Sequence, residues 1–232
     1  MVGMGTIVNA AAIVAGGLLG SLVVPRVPDH VRESIMQALG LGVILIGLQM
    51  AQGTQELLLV LLSLAIGAAA GEVGRLDDRL QAVAARLARF AGHGRSGFAE
   101  AFVNTTLLFC VGAMAITGAL QDGLGGNPDT LYAKAVLDGT SAVVFASTMG
   151  PGVVLSAIPV LLYQGAITLG AGLLSRVLTP DMIREIGAVG GLLVLGLGLN
   201  MTGAARLRVA NILPAMFVVP VLLAVRRLAL DF

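Results

Sequence analysis

The chain has 232 residues, of which 57% are apolar and 12% charged, with a mean hydropathy of +0.95. An ordinary globular domain carries about 25% charged residues, so there is too little polar surface here for a body immersed in water. Fourteen basic and 13 acidic residues leave a net charge of +1, which excludes a nucleic-acid footprint, and the single cysteine, Cys110, excludes an internal disulfide or a cysteine-rich metal site.

The remaining class is an all-α, polytopic transmembrane bundle forming a single membrane domain over 1–232. A spanning helix needs about 20 apolar residues. Eight segments qualify as candidates, near 4–24, 34–51, 56–75, 98–120, 134–150, 152–175, 185–203 and 210–225. No Lys or Arg precedes the first segment, and no Ala-x-Ala-like site follows it, so it does not read as a cleaved signal. Its first positive charges, Arg26 and Arg32, come after it, which places the N-terminus outside.

Between segments 3 and 4, Leu76, Leu80, Val83, Leu87 and Phe90 recur every three or four residues among Asp77, Asp78, Arg79, Arg86 and Arg89. This pattern predicts an amphipathic cytoplasmic insertion over 76–97, lying either on anionic lipid or on the protein itself. Segments 4 and 5 form a central pair over 98–151. Segment 5 carries Asp138 near its middle, at an insertion cost of about 2.5–3.5 kcal/mol, and ends at the breaker Met149-Gly150-Pro151-Gly152. It either spans or dips in and returns. Eight crossings put nine Lys/Arg inside and five outside; a re-entrant segment 5 gives eleven and three.

The chain also matches itself. Pro28–Glu33 (PDHVRE) resembles Pro180–Glu185 (PDMIRE), and after Ser34 the match runs on through 35–50 against 186–201, with 11 of 22 aligned residues identical and Gln49 opposite Asn200. This divides the chain into a first repeat over 1–75 and a second over 152–232, inverted if segment 5 spans. A fainter echo links Val8-Asn9 with Val103-Asn104. Pro-Asp alone marks only a helix start, with Thr179 and Asn127 as N-caps.

The segments GTIVNAAAIVAGGLLG (5–20), LLFCVGAMAITGAL (107–120), VLDGTSAVVFASTMG (136–150), SAIPVLLYQG (156–165), GLGLNMTG (196–203) and NILPAMF (211–217) resemble the bacterial membrane-protein family called domain of unknown function 554. Pro151 departs from it, standing where an aliphatic residue is expected. The resemblance covers essentially the whole chain. It implies a multi-pass protein of the bacterial cytoplasmic (inner) membrane without assigned enzymatic activity, and only loosely a sodium channel or pump.

Asp138 is the first candidate for function, because an ionisable residue is costly to keep inside an apolar segment. The structural alternative is a helix-start carboxylate paired with Lys134 one turn earlier. Asn9, Gln49, Asn104, Gln164, Asn200 and Asn211 are carboxamides in apolar surroundings, and Ser141 lies beside Asp138. Such oxygen donors suit Na⁺ or H⁺ rather than soft metals. Gln49 and Asn200, at matching repeat positions, are expected to face a shared axis. His30 and His93 make no metal constellation.

The pairs Gly16/Gly20 and Gly67/Gly71 suit close helix packing, within one chain or in a homodimer. No Walker loop and no Ser/His/Asp or Cys/His set is visible, so neither an enzyme nor a cofactor is expected. The function expected is a secondary transporter or channel for a small cation, with an oxygen-lined site at the repeat interface. The alternative is a membrane scaffold or signalling protein without transport. The expected partners are the lipid bilayer and a small cation.

Overall fold

In the computed structural model the described residues are 2–22, 28–90 and 97–230, together with the side chains of these except 29, 32, 88, 90, 229 and 230. They are all-helical. The elements are α1 (Met4–Ser21), α2 (Asp29–Ala51), α3 (Leu57–Gly74), α4 (Leu76–Phe90), α5 (Phe98–Cys110), α6 (Ala113–Gly125), α7 (Asp129–Met149), α8 (Gly152–Leu155), α9 (Ala157–Leu169), α10 (Ala171–Val177), α11 (Pro180–Met201), α12 (Val209–Ile212) and α13 (Ala215–Leu230). Arg26, His93 and Arg95 lie outside the described residues.

Six stretches are each long and apolar enough to cross a membrane: Met4–Ser21, Glu33–Ala51, Leu57–Gly74, Gly152–Leu169, Pro180–Met201 and Val209–Leu228. Large apolar side chains such as Leu58, Leu162, Leu169 and Phe217 stand 67–87% exposed along them, a surface that lipid accommodates and water does not.

Two of the eight sequence segments take a different form. Segment 4 is not one straight helix: α5 and α6 meet at a 60° bend, and together they could supply a seventh span. Gly112 sits at the break with φ 149°, a backbone conformation that a side chain disfavours. Segment 5 is longer than the 134–150 reading. The Asn127 side chain accepts the Asp129 N–H (3.0 Å) and the helix runs from Asp129 for 21 residues, so Asp138 is its tenth residue and not part of a helix start. Lys134 and Asp138 lower its apolarity relative to the six stretches named above.

The described chain divides into two compact units that interleave along the sequence. The first comprises Met1–Met36, Leu80–Cys110 and Met114–Val177. Its core is built on Ile13, Ala101, Phe109, Leu131, Ala142, Val153 and Val160, none more than 1% exposed. Here α1 and α7 run parallel in close contact. Gly5 lies against Leu131, Gly16 against the Gly139 carbonyl and Gly20 against the Val143 carbonyl, so any side chain at Gly16 or Gly20 would drive the helices apart. α9 runs antiparallel to α1, with Gly17 near Val154 and Thr6 near Thr168. α7 follows α1 in one direction and does not turn back on itself within Asp129–Met149.

The second unit comprises Gln37–Arg79, Val111–Ala113 and Leu178–Phe232. Thr179 caps α11 by accepting the Met182 N–H (3.3 Å), with Pro180 in the first turn. α11 carries the core of this unit through Val189, Leu193, Val194 and Leu197. α2 and α11 cross antiparallel through glycines on both sides. α3 lies antiparallel to α12 and α13, where Gly67 meets Ala215 and Gly71 meets the Asn211 carbonyl. Both glycine pairs noted in the sequence are therefore consumed inside one chain.

Buried acceptors close helix starts from a distance. The wholly buried Asp122 accepts the N–H groups of Gly3 (3.2 Å) and Gly5 (3.1 Å) at the head of α1. The equally buried Glu185 accepts from the Thr54 hydroxyl and the Gln55 N–H (3.0 Å) ahead of α3. Each places negative charge where helix N–H groups lack partners.

Candidate functional site

On α7, positions 134 and 138 are one turn apart and share a face. Lys134 Nζ lies 2.6 Å from Asp138 Oδ2, and each residue is only 7% exposed. Breaking a buried pair by removing one partner costs about 3–5 kcal/mol, because the charge left behind has no counterion. The pair fits both sequence readings of Asp138 in part: the partner is the one the structural alternative named, and the position is mid-helix.

The parallel packing of α1 brings Asn9 to this carboxylate, and the antiparallel packing of α9 brings Gln164 to Asn9. Asn9 Nδ2 donates to Asp138 Oδ2 (3.1 Å) and to Gln164 Oε1 (3.3 Å), and both amide residues are fully buried. One turn away on the same two helices, the hydroxyls of Thr6 and Thr168 are 3.4 Å apart.

The charge on Asp138 fixes how the amides point. A carboxylate only accepts, so Asn9 must present its NH₂ side; turned over, two acceptors would face each other. Asn9 then uses Nδ2 for both contacts, which leaves Asn9 Oδ1 and Gln164 Nε2 buried without a partner among the described residues. An orphaned buried polar atom costs about 1–3 kcal/mol, and such atoms are rare enough to mark a place where stability is not the only constraint.

The structure thus brings Asp138, Asn9 and Gln164 together and adds Lys134. The other candidates lie elsewhere. Ser141 is half-buried on α7, one turn past Asp138, and Asn104 is half-buried on α5; neither bonds to the cluster. Gln49 is exposed on α2. Asn200 clamps the loop after α11, its side chain bonding both the N–H and the carbonyl of Leu207 (2.7 Å each). Its repeat-related position therefore does not put it on a polar axis with Gln49.

Asn211 is buried and structural: Nδ2 donates to Glu72 (2.6 Å) and Oδ1 accepts the Asp77 N–H (2.7 Å), closing the start of α4. Glu72 also pairs with Arg208 (2.9 Å). Partial burial raises the Asp77 carboxyl above its ordinary range, against the pull of Arg208. Among the described residues no three His, Cys, Asp or Glu form a metal-binding group.

Sequence reasoning passed over Lys134 as a site member and missed Asp122 and Glu185. Lys134 was legible, being the only lysine in the chain and one turn from the only mid-segment Asp. The other two sit near segment ends, where a carboxylate is ordinary.

The family described as Protein of unknown function (DUF554) matches residues 4–224. Two curated relatives are similar over nearly their whole lengths. "Uncharacterized protein YqgA" of Escherichia coli (strain K12) is 33% identical, over 92% of this chain and 93% of the relative. "Uncharacterized membrane protein YdfK" of Bacillus subtilis (strain 168) is 32% identical, over 95% and 96%. No solved structure matches.

Proposed function

The chain belongs to the DUF554 family of membrane proteins, and we propose that it carries a small cation, Na⁺ or H⁺, across the bacterial cytoplasmic membrane. The observation that supports this is the buried Lys134–Asp138 pair, held by Asn9 and Gln164 with one amide oxygen left over. A hydrophobic bundle gains nothing in stability from such a cluster, since apolar residues of similar volume pack at least as well.

The chemistry follows from charge. Lys134 neutralises Asp138 at rest, so the site is a neutral polar group in an apolar bundle. An arriving cation competes with the Lys134 ammonium for the same carboxylate. Asn9 Oδ1 is the neutral oxygen free to join it, and hard monovalent or divalent cations favour such oxygen sets. Once the cation sits on Asp138 the amides are no longer constrained by a bare carboxylate. The pull of Lys134 keeps occupancy brief, as passage requires.

In this reading α7 crosses the membrane, which gives eight crossings with the N-terminus and C-terminus both outside and α4 in the cytoplasm. The experiment is uptake of radioactive Na⁺, and of H⁺ by an enclosed pH dye, into proteoliposomes holding the purified protein. Asp138→Asn is expected to abolish the flux that the unaltered chain supports. Undiminished flux through Asp138→Asn overturns the proposal.

A further inference from the structure

The α2–α11 crossing in the second unit contains a relationship that its sequence match does not require. In that match residue 40 corresponds to 191, 44 to 195 and 47 to 198, and one step past its end 51 falls opposite 202. A methyl group on Gly40 would lie 3.0 Å from the Gly198 carbonyl oxygen, and one on Gly191 would lie 2.7 Å from the Gly47 carbonyl oxygen. Each contact is the other with the two copies exchanged.

The same holds three times more. Gly198 approaches the Gly40 carbonyl (2.8 Å) as Gly47 approaches that of Gly191 (2.6 Å). Gly198 meets the Ile44 nitrogen as Gly47 meets the Leu195 nitrogen, and Gly40 meets the Thr202 nitrogen (3.0 Å) as Gly191 meets that of Ala51 (2.5 Å).

An isologous contact, in which i touches j while j touches i, is the mark of a two-fold axis. Antiparallel packing by itself does not produce it. Two helices of 23 and 22 residues can cross at any height and on any face. This crossing is centred so that the same residues of both copies form it, with Gly40 and Gly47 on one helix and Gly191 and Gly198 on the other against the facing backbone. The remaining segments of the two copies pack in the same sense, α1 against α9 in the first unit and α3 against α13 in the second.

We propose that α2 and α11 are inverted copies related by a local two-fold axis through their crossing, and that this crossing is the pivot on which the protein alternates between two states. The axis lies across the helices, hence in the plane of the membrane. Copies related in that way have the two membrane faces exchanged, so a rocking motion about the axis converts opening to one side into opening to the other. Glycines bring the two backbones together here, with the Thr202, Ile44 and Met50 side chains seated against Gly40, Gly198 and Gly191, so the crossing stays in contact while the helix ends swing. The pivot role rests on the transport reading; the inverted relationship does not.

Two measurements test it separately. In a Cys110→Ser background, His30→Cys and Ser175→Cys mark the chain just before or at the start of α2 and α11. A membrane-impermeant maleimide applied to intact cells is expected to label residue 175 and spare residue 30. Labelling of both, or of neither until the cells are opened, overturns the inversion.

For the pivot, the paired variants Ile44→Cys/Gly198→Cys and Gly47→Cys/Leu195→Cys are oxidised in proteoliposomes. Each pair adds a Cβ within 2.4–2.7 Å of backbone, so flux per folded molecule is compared between the oxidised and reduced forms of the same variant, and oxidation is expected to lower it about 10-fold or more, as blocking one rocking step requires. Full flux with the disulfide formed overturns the pivot, whether or not Asp138→Asn is inactive. If a cysteine pair does not accumulate, Gly40→Ala and Gly191→Ala replace it. As mates they are expected to lower flux alike, and a difference beyond about 3-fold overturns the pivot.

Discussion

Asn9 donates a hydrogen bond from Nδ2 to Asp138 Oδ2 at 3.1 Å, while the other atom of the same amide, Oδ1, is buried with no donor. The two facts are one, since the carboxylate dictates which side of the amide it faces. Asn9→Leu removes both the donor and the orphaned oxygen. It is expected to reduce cation flux at least about 10-fold and to lower the Tm, because Asp138 Oδ2 and Gln164 Oε1 each lose a donor, at about 1–3 kcal/mol per group, against the single orphaned oxygen it removes. A fully active Asn9→Leu in the proteoliposome assay contradicts this role.

The ion pair should respond as a unit. Asp138→Asn and Lys134→Met each leave one buried charge alone and are expected to cost about 3–5 kcal/mol. The double variant Lys134→Met/Asp138→Leu removes both charges and should regain most of that stability with no flux. Thermal unfolding in detergent, with the three variants side by side, reads the coupling; additive losses would show that the residues do not act as a pair.

Glycines in contact and glycines in open space predict opposite outcomes for the same change. Gly20→Val would force a branched side chain against the Val143 carbonyl and separate α1 from α7. A loss of about 3 kcal/mol or more, or no accumulation in the membrane, is expected, as for other strained core sites. Nothing lies within 4 Å of a methyl group at Gly42, so Gly42→Ala gains only helix propensity, about 0.5–1 kcal/mol. Unfolding temperatures of the two variants check both directions.

Asp77 gives a pH signature outside the spans. Burial raises its carboxyl in the folded chain above the ordinary 3.8, so the folded state holds that proton more tightly than the unfolded one. Its contribution is therefore most favourable below pH 3.8, falls as pH rises through the folded value, and is flat above it. Asp77→Asn should remove this part of the slope. Denaturation midpoints in detergent across that acid range, compared with the unaltered chain, decide it; parallel curves would show that Asp77 does not contribute.

Glu185 is expected to matter for folding and not for transport. It is fully buried and closes the turn before α3 through Thr54 and Gln55. Glu185→Ala leaves those donors without a partner and should cost about 1–3 kcal/mol per group, with flux per folded molecule unchanged. Abolished flux at normal abundance would instead move Glu185 into the translocation path.

The helical bundle, its membrane setting, the amphipathic α4 and the place of Asp138 inside an apolar helix were all legible in the residue order. Each depends on hydrophobic periodicity, or on one charge among apolar neighbours, and these are local properties. Contacts between distant positions were not legible. Asn9 and Asn211 are both asparagines in apolar segments, yet one faces Asp138 and the other closes the start of α4, because helix packing decides which face of each helix is shared. The bend at Gly112 was also hidden, since hydropathy runs unbroken through 98–120 and a φ of 149° leaves no trace in it. The sequence by itself determined what must be buried in lipid; only the tertiary structure decided which polar groups meet there, because partners are chosen by the register between helices and not along one.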